Sequence, residues 1–480
     1  MAKMIIGGRK VDARDGLTID VTNPATGAVI DTIPAATKED VDRCVAEARL
    51  AQKEWAKVPL HKRGAILNRF VDLALTHKEE LARLLSMETG KPIVEGRNEI
   101  DNIPTLFRGF VERAKHFYNE TIPEGTEPGM ERTLQIVTRE PVGVVACVIP
   151  FNFPCDLFDQ KVAPALIMGN AAIVKPSTDN PLTLIRLCDL LIEAGVTPGA
   201  ISILTGRGSK VGGWLCGHAG VDFISLTGST EVGIQTAEVA AKLLTPSALE
   251  LGGNDAFIVL EDGDVDLAVE ETMFGRFYNT GQVCCASKRF IVHNSRKAEF
   301  TDKLVKRLGK LKQGDPLDEA TTIGSLISEK AAIGVEEQVA LTVQQGAKVV
   351  LGGERHGAFY QPTVLVDVPK TADVAKDLEI FGPVVPVIGF DSVEEAIEIA
   401  NASIFGLSGA VFSRDVGKAL TVARALECGG AVINGCSFFR SCEMPFGGYK
   451  MSGIGNEGIM CSLEEVTQIK TIVLKNVLAA

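Results

Sequence analysis

Three stretches of this chain hold residues of the types and spacing that thiol chemistry needs. The run Phe277 to Ala286 is a polar, glycine-containing turn that ends in two adjacent cysteines, Cys284 and Cys285. It leads into the β-prone Arg289-Phe290-Ile291-Val292. A cysteine on such a junction can stand clear of the core. The plain alternative is that both are small buried apolar side chains, as most free cysteines are. Leu249-Glu250-Leu251-Gly252-Gly253-Asn254 upstream supplies a carboxylate, and Asn152 supplies a side-chain amide. A thiolate nucleophile needs such a base and such a hydrogen-bond donor.

The elements that must position these groups follow a strand–helix alternation from Val142 onward, which predicts a parallel sheet with crossovers. Strands fall over 142–149, 171–174, 201–204 and 223–226, with helices over 154–167 and 182–194 between them. Ligands of such sheets gather at the carboxyl ends of the strands. Asn152, Lys175, Gly208 and the Thr227–Gly233 loop lie there. No G-x-G-x-x-G fingerprint is present, since Gly206-x-Gly208-x-x-x-Gly212 is off by one. Thr227-Gly228-Ser229-Thr230 is more informative, because it sets small hydroxyls and free N–H groups at a helix N-terminus, where a diphosphate can sit. An ordinary capped turn explains its Ser and Thr but not its glycines as well.

A second α/β set runs from Ala256 to Ile433, with strands near 256–260, 290–292, 348–351, 384–388, 410–412 and 431–433. Helices over 300–311, 329–344, 393–399 and 418–425 lie between them. A cleft between the two sets would be bordered by Asn152 and Glu250 on one side and Cys284 on the other. Ahead of both lies a helical layer. Its first helix starts after a cap at Thr37, and its last, over 94–117, should kink or break at Pro104. The alternating run Leu134 to Arg139 is either an arm that pairs with another subunit or an edge hairpin within the chain. The β-prone Thr467 to Val477 could pair with it.

At 480 residues, with 46% apolar and 23% charged side chains, the chain suits about three domains, or two with an appendage. A net charge of -12 without a Lys/Arg block argues against nucleic acid or an anionic membrane as partner. No apolar run reaches 18 residues, so no membrane-spanning helix is expected. Eleven scattered cysteines fit a reducing cytoplasm. No cluster has zinc-ligand spacing, so metal catalysis is not expected.

Seven ordered motifs resemble the aldehyde dehydrogenase superfamily over essentially the whole chain. They are Pro150-Phe151-Asn152-Phe153-Pro154, Lys175-Pro176-Ser177, Thr227-Gly228-Ser229-Thr230, Glu250-Leu251-Gly252-Gly253, Gly281-Gln282-Val283-Cys284, Glu379-Ile380-Phe381-Gly382-Pro383 and Pro445-Phe446-Gly447-Gly448. The resemblance implies two Rossmann-like parallel-sheet domains plus a small β oligomerisation arm. Residues 1–119 and 142–252 would form the cofactor domain, 253–460 the catalytic domain, and 120–141 with 461–480 the arm of a homodimer or homotetramer.

By the same resemblance Cys284 is the nucleophile and Glu250 the base that activates the hydrolytic water. Asn152 and the Cys284 N–H would form the oxyanion hole, and hydride would pass to the nicotinamide. Lys175 would bind the adenosine ribose, with Ile149, Pro150, Phe151 and Ser177 around it. Thr227 and Ser229 would line the nicotinamide and diphosphate path, and Gly208, Gly212, Gly228, Val232 and Leu251 would also bind the cofactor. Glu379 would hold the nicotinamide ribose, and Phe381 would pack near the ring. Leu226 replaces a frequent Phe. Thr178 stands where NAD-preferring members carry Glu, which implies that NADP is accepted alongside or in preference to NAD.

The tunnel residues implied are Phe153, Gln160, Tyr278, Cys285, Arg440 and Phe446, with Asn102 and Leu157 beside them. Succinate-semialdehyde dehydrogenases carry arginines at the positions of Gln160 and Tyr278. Arg440 resembles an arginine of enzymes for small polar or anionic aldehydes such as lactaldehyde and glyceraldehyde 3-phosphate, and its guanidinium suits phosphate, sulfonate or carboxylate. The plain alternative for Arg440 is a surface salt bridge with Glu443. Three further readings stand beside the aldehyde-oxidising one: a succinate-semialdehyde dehydrogenase, a CoA-acylating enzyme, and an inactive structural or binding protein.

Overall fold

The computed structural model describes residues 1–477. Two sheets organise the chain. The first has eight strands, and its five inner strands are parallel, in the order Ile201–Ile203, Ala171–Lys175, Val144–Val148, Phe223–Thr227, Ser247–Glu250. Met4–Ile6 and Arg9–Val11 close one edge and Gly453–Ile454 the other. Chain order reverses between Val144–Val148 and Phe223–Thr227, so a topological switch point opens at their carboxyl ends. The central strands are buried on both faces, as their continuous apolar runs require.

The second sheet has seven strands centred on Ser287–His293 and Asp255–Val259, all parallel except the antiparallel edge strand Lys348–Leu351. Strand Thr363–Val366 within it has no counterpart among the expected elements. Neither has helix Val265–Phe277, which leads directly into the cysteine turn. Its apolar residues are spread around the axis, so it lacks the one-sided stripe that marks a surface helix.

Of four N-terminal helices, Lys38–Lys57 packs on the first sheet, while Leu60–Thr76, Lys78–Thr89 and Ile93–Lys115 pack on helices Pro154–Ile167 and Leu182–Ala194 and on one another. Thr37 caps the first through a reciprocal bond with Asp40. The expected break at Pro104 does not occur, because helix Ile93–Lys115 runs through it. Its buried face of Ile100, Ile103, Leu106, Phe107 and Phe110 supplies packing that outweighs the lost backbone bond.

Thr467–Lys475 pairs antiparallel with Thr133–Pro141, and Glu120–Ile122 completes a separate three-stranded sheet. Among the described residues no helix is long and apolar enough to cross a membrane.

Candidate active site

Asn152 follows strand Val144–Val148, Thr227 ends Phe223–Thr227, and Glu250 ends Ser247–Glu250, so all three stand at the switch point of the first sheet. Cys284 and Cys285 come from the second half of the chain, three and two residues before strand Ser287–His293. The turn that delivers them holds Asn279, Thr280 and Gly281 at φ of 48°, 56° and 78°. Such a left-handed run costs energy at non-glycine residues. Hydrogen bonds stabilise it: the Asn279 side-chain amide donates to the carbonyls of Asn152 at 2.9 Å and Gln282 at 3.2 Å. The Ile327 N–H donates to Gln282 Oε1 at 2.9 Å.

Cys284 is half-buried and Cys285 buried. The Cys284 thiol is held well above its ordinary range by the adjacent Cys285 thiol and by burial, while Lys288 and Glu250 act to lower it. Glu250 is 5% exposed, and neither carboxylate oxygen has a hydrogen-bond partner. Burial, reinforced by the nearby Cys284 thiol, pushes its carboxyl far up. The Asn152 backbone carbonyl is pinned by Asn279 and by Lys91 Nζ at 3.0 Å, but its side-chain oxygen has no partner.

These groups open onto a cavity of about 470 Å³. Its walls bring together Asn152, Phe153, Gln160, Tyr278, Cys284 and Cys285, and further out Asn102, Leu157, Arg440 and Phe446. Phe153 and Tyr278 stack 6.0 Å apart, with Phe438 against both. Gln160 Oε1 is buried without a partner.

The surface salt bridge between Arg440 and Glu443 is not formed. Arg440 instead lies over the Phe446 ring at 4.2 Å and donates through Nη2 to Glu457 at 3.0 Å. Lys161 holds the other Glu457 oxygen at 2.7 Å. Burial opposes the Glu457 charge, but the two cations bring its carboxyl down to about 2.

Residue types alone did not point to Lys91, Glu99, Asp156, Lys161, Lys288 or Glu457. Asp156 lines the cavity, accepts from Asn102 at 3.1 Å, and is pushed up to about 7 by burial and Glu99. Only its place in the first turn of helix Pro154–Ile167, between Phe153 and Gln160, could have flagged it.

The remaining residues, those expected to bind the cofactor, lie on the strand ends and loops of the first sheet and on the loop that carries Glu379 and Phe381. Ser229 caps helix Thr230–Ala241, its Oγ accepting from Val232 N at 3.4 Å. Thr227 Oγ1 is buried without a partner. A Cβ on Gly233 would meet Leu251 at 2.5 Å, so glycine lets this helix approach the sheet. Ile149 N donates to Lys175 O at 3.0 Å, which joins the two strand ends. The buried Lys175 amine is lowered to about 8 by burial and donates to Pro176 O.

Gly208 and Gly212 bound an exposed π-helical turn. Thr178 Oγ1 donates to Gly206 O at 3.1 Å, and Ser177 Oγ accepts from Asp179 N at 3.3 Å. Phe151 and Phe381 meet edge to face at 6.0 Å, with Pro150 between Ile149 and Phe151. Glu379 Oε1 accepts from Lys288 at 2.9 Å and from Gly253 N at 3.3 Å. The orphaned Thr227 hydroxyl beside the N-terminus of helix Thr230–Ala241 suits the diphosphate of a nicotinamide dinucleotide.

Fold and site together set a cysteine, a buried carboxylate and a side-chain amide at the switch point of a parallel α/β sheet, the layout of a cysteine-dependent enzyme. Residues 11–472 match the model of the aldehyde dehydrogenase family. The chain is 40% identical to the glutarate-semialdehyde dehydrogenase of Pseudomonas putida, over 97% of this chain and 96% of that one. It is 38% identical to a 3-sulfolactaldehyde dehydrogenase of Pseudomonas putida, over 98% and 96%. It is 39% identical to the NADP(+) succinate-semialdehyde dehydrogenase of Escherichia coli, over 97% and 96%. Among solved structures, betaine aldehyde dehydrogenase of Staphylococcus aureus in complex with NAD+ superposes with a TM-score of 0.95 at 37% identity, over 100% of this chain and 96% of that one. The chain belongs to the aldehyde dehydrogenase family, and it is an NAD(P)-dependent enzyme that oxidises aldehydes.

Proposed function

We propose that the substrate is a small polar or anionic aldehyde, such as lactaldehyde, glyceraldehyde 3-phosphate or a sulfo-aldehyde, and that the product is the free acid. The observation that carries this is Arg440. Its guanidinium stands on the cavity wall with only Nη2 engaged, so Nε and Nη1 remain for an anionic group. One of the three relatives above acts on 3-sulfolactaldehyde, a small anionic aldehyde, which supports the same reading. Gln160 and Tyr278 on the wall, in place of arginines, weigh against a dicarboxylic semialdehyde. Asp156 and Asn102 offer an acceptor and a donor to a hydroxyl group.

Cys284 adds to the aldehyde carbonyl, and the thiohemiacetal oxygen is received by the Asn152 side-chain amide and the Cys284 N–H. Each such donor contributes about 3 kcal/mol. When bound, the nicotinamide ring accepts hydride; Thr227, Ser229, Lys175 and Glu379 would hold its dinucleotide. Glu250 takes a proton from the water that hydrolyses the Cys284 thioester. A buried, unpartnered carboxylate beside the thiol favours hydrolysis over transfer to coenzyme A.

NADP is accepted, because Thr178 places no carboxylate at the 2′-position and Lys210 is exposed nearby. The chain assembles as a homodimer or homotetramer through its three-stranded sheet.

A kinetic panel with NAD and NADP tests the reading. Arg440→Ala should raise KM for anionic aldehydes at least about tenfold while leaving propanal within about twofold. Equal effects on both would remove Arg440 as anchor. Failure of NADP to support turnover would remove the cofactor claim.

A further inference from the structure

Lys288 follows Cys284 by four residues and is the second residue of strand Ser287–His293. Its residue is 1% exposed. A buried ammonium needs partners, and Lys288 has two: the main-chain carbonyl of Cys284, and Glu379 Oε1 at 2.9 Å. The Phe381 ring lies 5.6 Å from the same ammonium. Gly253 N donates to Glu379, and a Cβ on Gly253 would fall 2.9 Å from the Cys284 carbonyl oxygen. Cys284, Gly253, Glu379 and Lys288 therefore form one closed corner, in which Lys288 is the link between the cysteine turn and the Glu379 carboxylate.

Titratable groups face this corner from several elements, among them Arg276 of helix Val265–Phe277, which faces Glu379, and Arg289 of strand Ser287–His293, which faces Asp255. Glu250 ends strand Ser247–Glu250, and Cys285 is on the cysteine turn itself. Glu379 lies in the loop before Val384–Phe390, and Asp255 opens strand Asp255–Val259. The Asp255 carboxyl is pushed up to about 7 by burial, against the pull of Lys288. Among the groups acting on the Cys284 thiol, Lys288 is the cation.

We propose that Lys288 is a positioning residue for the nucleophile: it ties the Cys284 carbonyl to Glu379 and fixes a positive charge beside the thiolate. The inference rests on the reading of Cys284 as the nucleophile. Full activity in Cys284→Ser would overturn that reading. The test of Lys288 needs no turnover, so the two failures are distinguishable.

The test is the pH profile of Cys284 alkylation by iodoacetamide, followed on the Cys284 peptide by mass spectrometry, in wild type, Lys288→Met, Lys288→Gln and Lys288→Arg. Lys288→Gln keeps a donor for the Cys284 carbonyl while removing the charge. An opposite charge at close range shifts a titration by one unit or more, so Met and Gln should move the alkylation midpoint up by about one pH unit or more. Arg should restore it. Loss of the charge should also weaken NADP binding, because Glu379 loses its anchor. An unchanged midpoint in Lys288→Gln would overturn the proposal, since a merely structural lysine would alter stability without moving the thiol.

Discussion

Glu250 combines two properties that conflict in a resting protein: it is buried, and its carboxylate oxygens lack partners. A satisfied structural carboxylate would accept several N–H bonds, as Glu88 does from Leu182, Thr183 and the Thr183 hydroxyl. The raised titration of Glu250 sets the sign of a pH effect. The base works only when ionised, so hydrolysis should speed up as pH rises from neutrality toward its elevated value. Glu250→Gln should cut steady-state kcat by about two to three orders of magnitude. It should leave a rapid burst of reduced cofactor close to one per site, because thioester formation precedes the step that it removes. Stopped-flow absorbance checks both, and an unchanged steady-state rate would remove Glu250 as the base. At this scale the sequence was readable where roles sit in contiguous motifs, as with Cys284, Glu250 and Asn152. It was unreadable where a role depends on a distant partner. Glu457 meets Lys161 across 296 positions, and Lys91 reaches Asn152 across 61. Neither pairing leaves a local pattern.

Among the elements, the turn between helix Val265–Phe277 and strand Ser287–His293 decides where the thiol stands. Three consecutive left-handed residues aim it, and Gly281 is the one whose replacement the surroundings forbid. A Cβ there would fall 2.4 Å from the Gly382 carbonyl oxygen, at a φ of 78°. Gly281→Ala should therefore destabilise the protein by about 2 kcal/mol or more. It should also depress kcat more than it raises KM, because the cysteine moves while the far end of the cavity does not. Thermal unfolding and steady-state kinetics on one preparation check this, and a stable, fully active variant would contradict it. The Gly-Gln-x-Cys motif announced a turn, but the helix feeding it went unseen because its apolar residues are not confined to one face. The strand–helix alternation showed through elsewhere because buried parallel strands must be continuous apolar runs. Thr363–Val366 is short, four residues between glutamine–proline and aspartate, and its apolar run is only the three residues Val364 to Val366.

For the whole molecule, the separate three-stranded sheet is the feature that the two large sheets do not explain. Thr467–Lys475 pairs along its full length with Thr133–Pro141, so the strand Leu134–Arg139 finds its neighbours within one chain. It leaves Glu120–Ile122 and Thr467–Lys475 as two edges with unpaired backbone groups. Long apolar edges are a liability in a monomer and a resource in an assembly. Here Ile469, Ile472 and Val473 remain 63%, 44% and 51% exposed. Ile469 and Val473 point to one face and Ile472 to the other, so both faces are apolar enough to cover another copy. If this sheet is the subunit contact, placing a charge on each face should break it. Ile472→Asp with Val473→Asp should weaken self-association by at least about 2 kcal/mol, roughly thirtyfold or more in the dissociation constant. Sedimentation velocity at micromolar concentration should then show the wild type as a dimer or tetramer and the variant shifted to smaller species. Circular dichroism should stay unchanged, since neither side chain enters a core. A variant that assembles like wild type would place the subunit contact elsewhere on the chain.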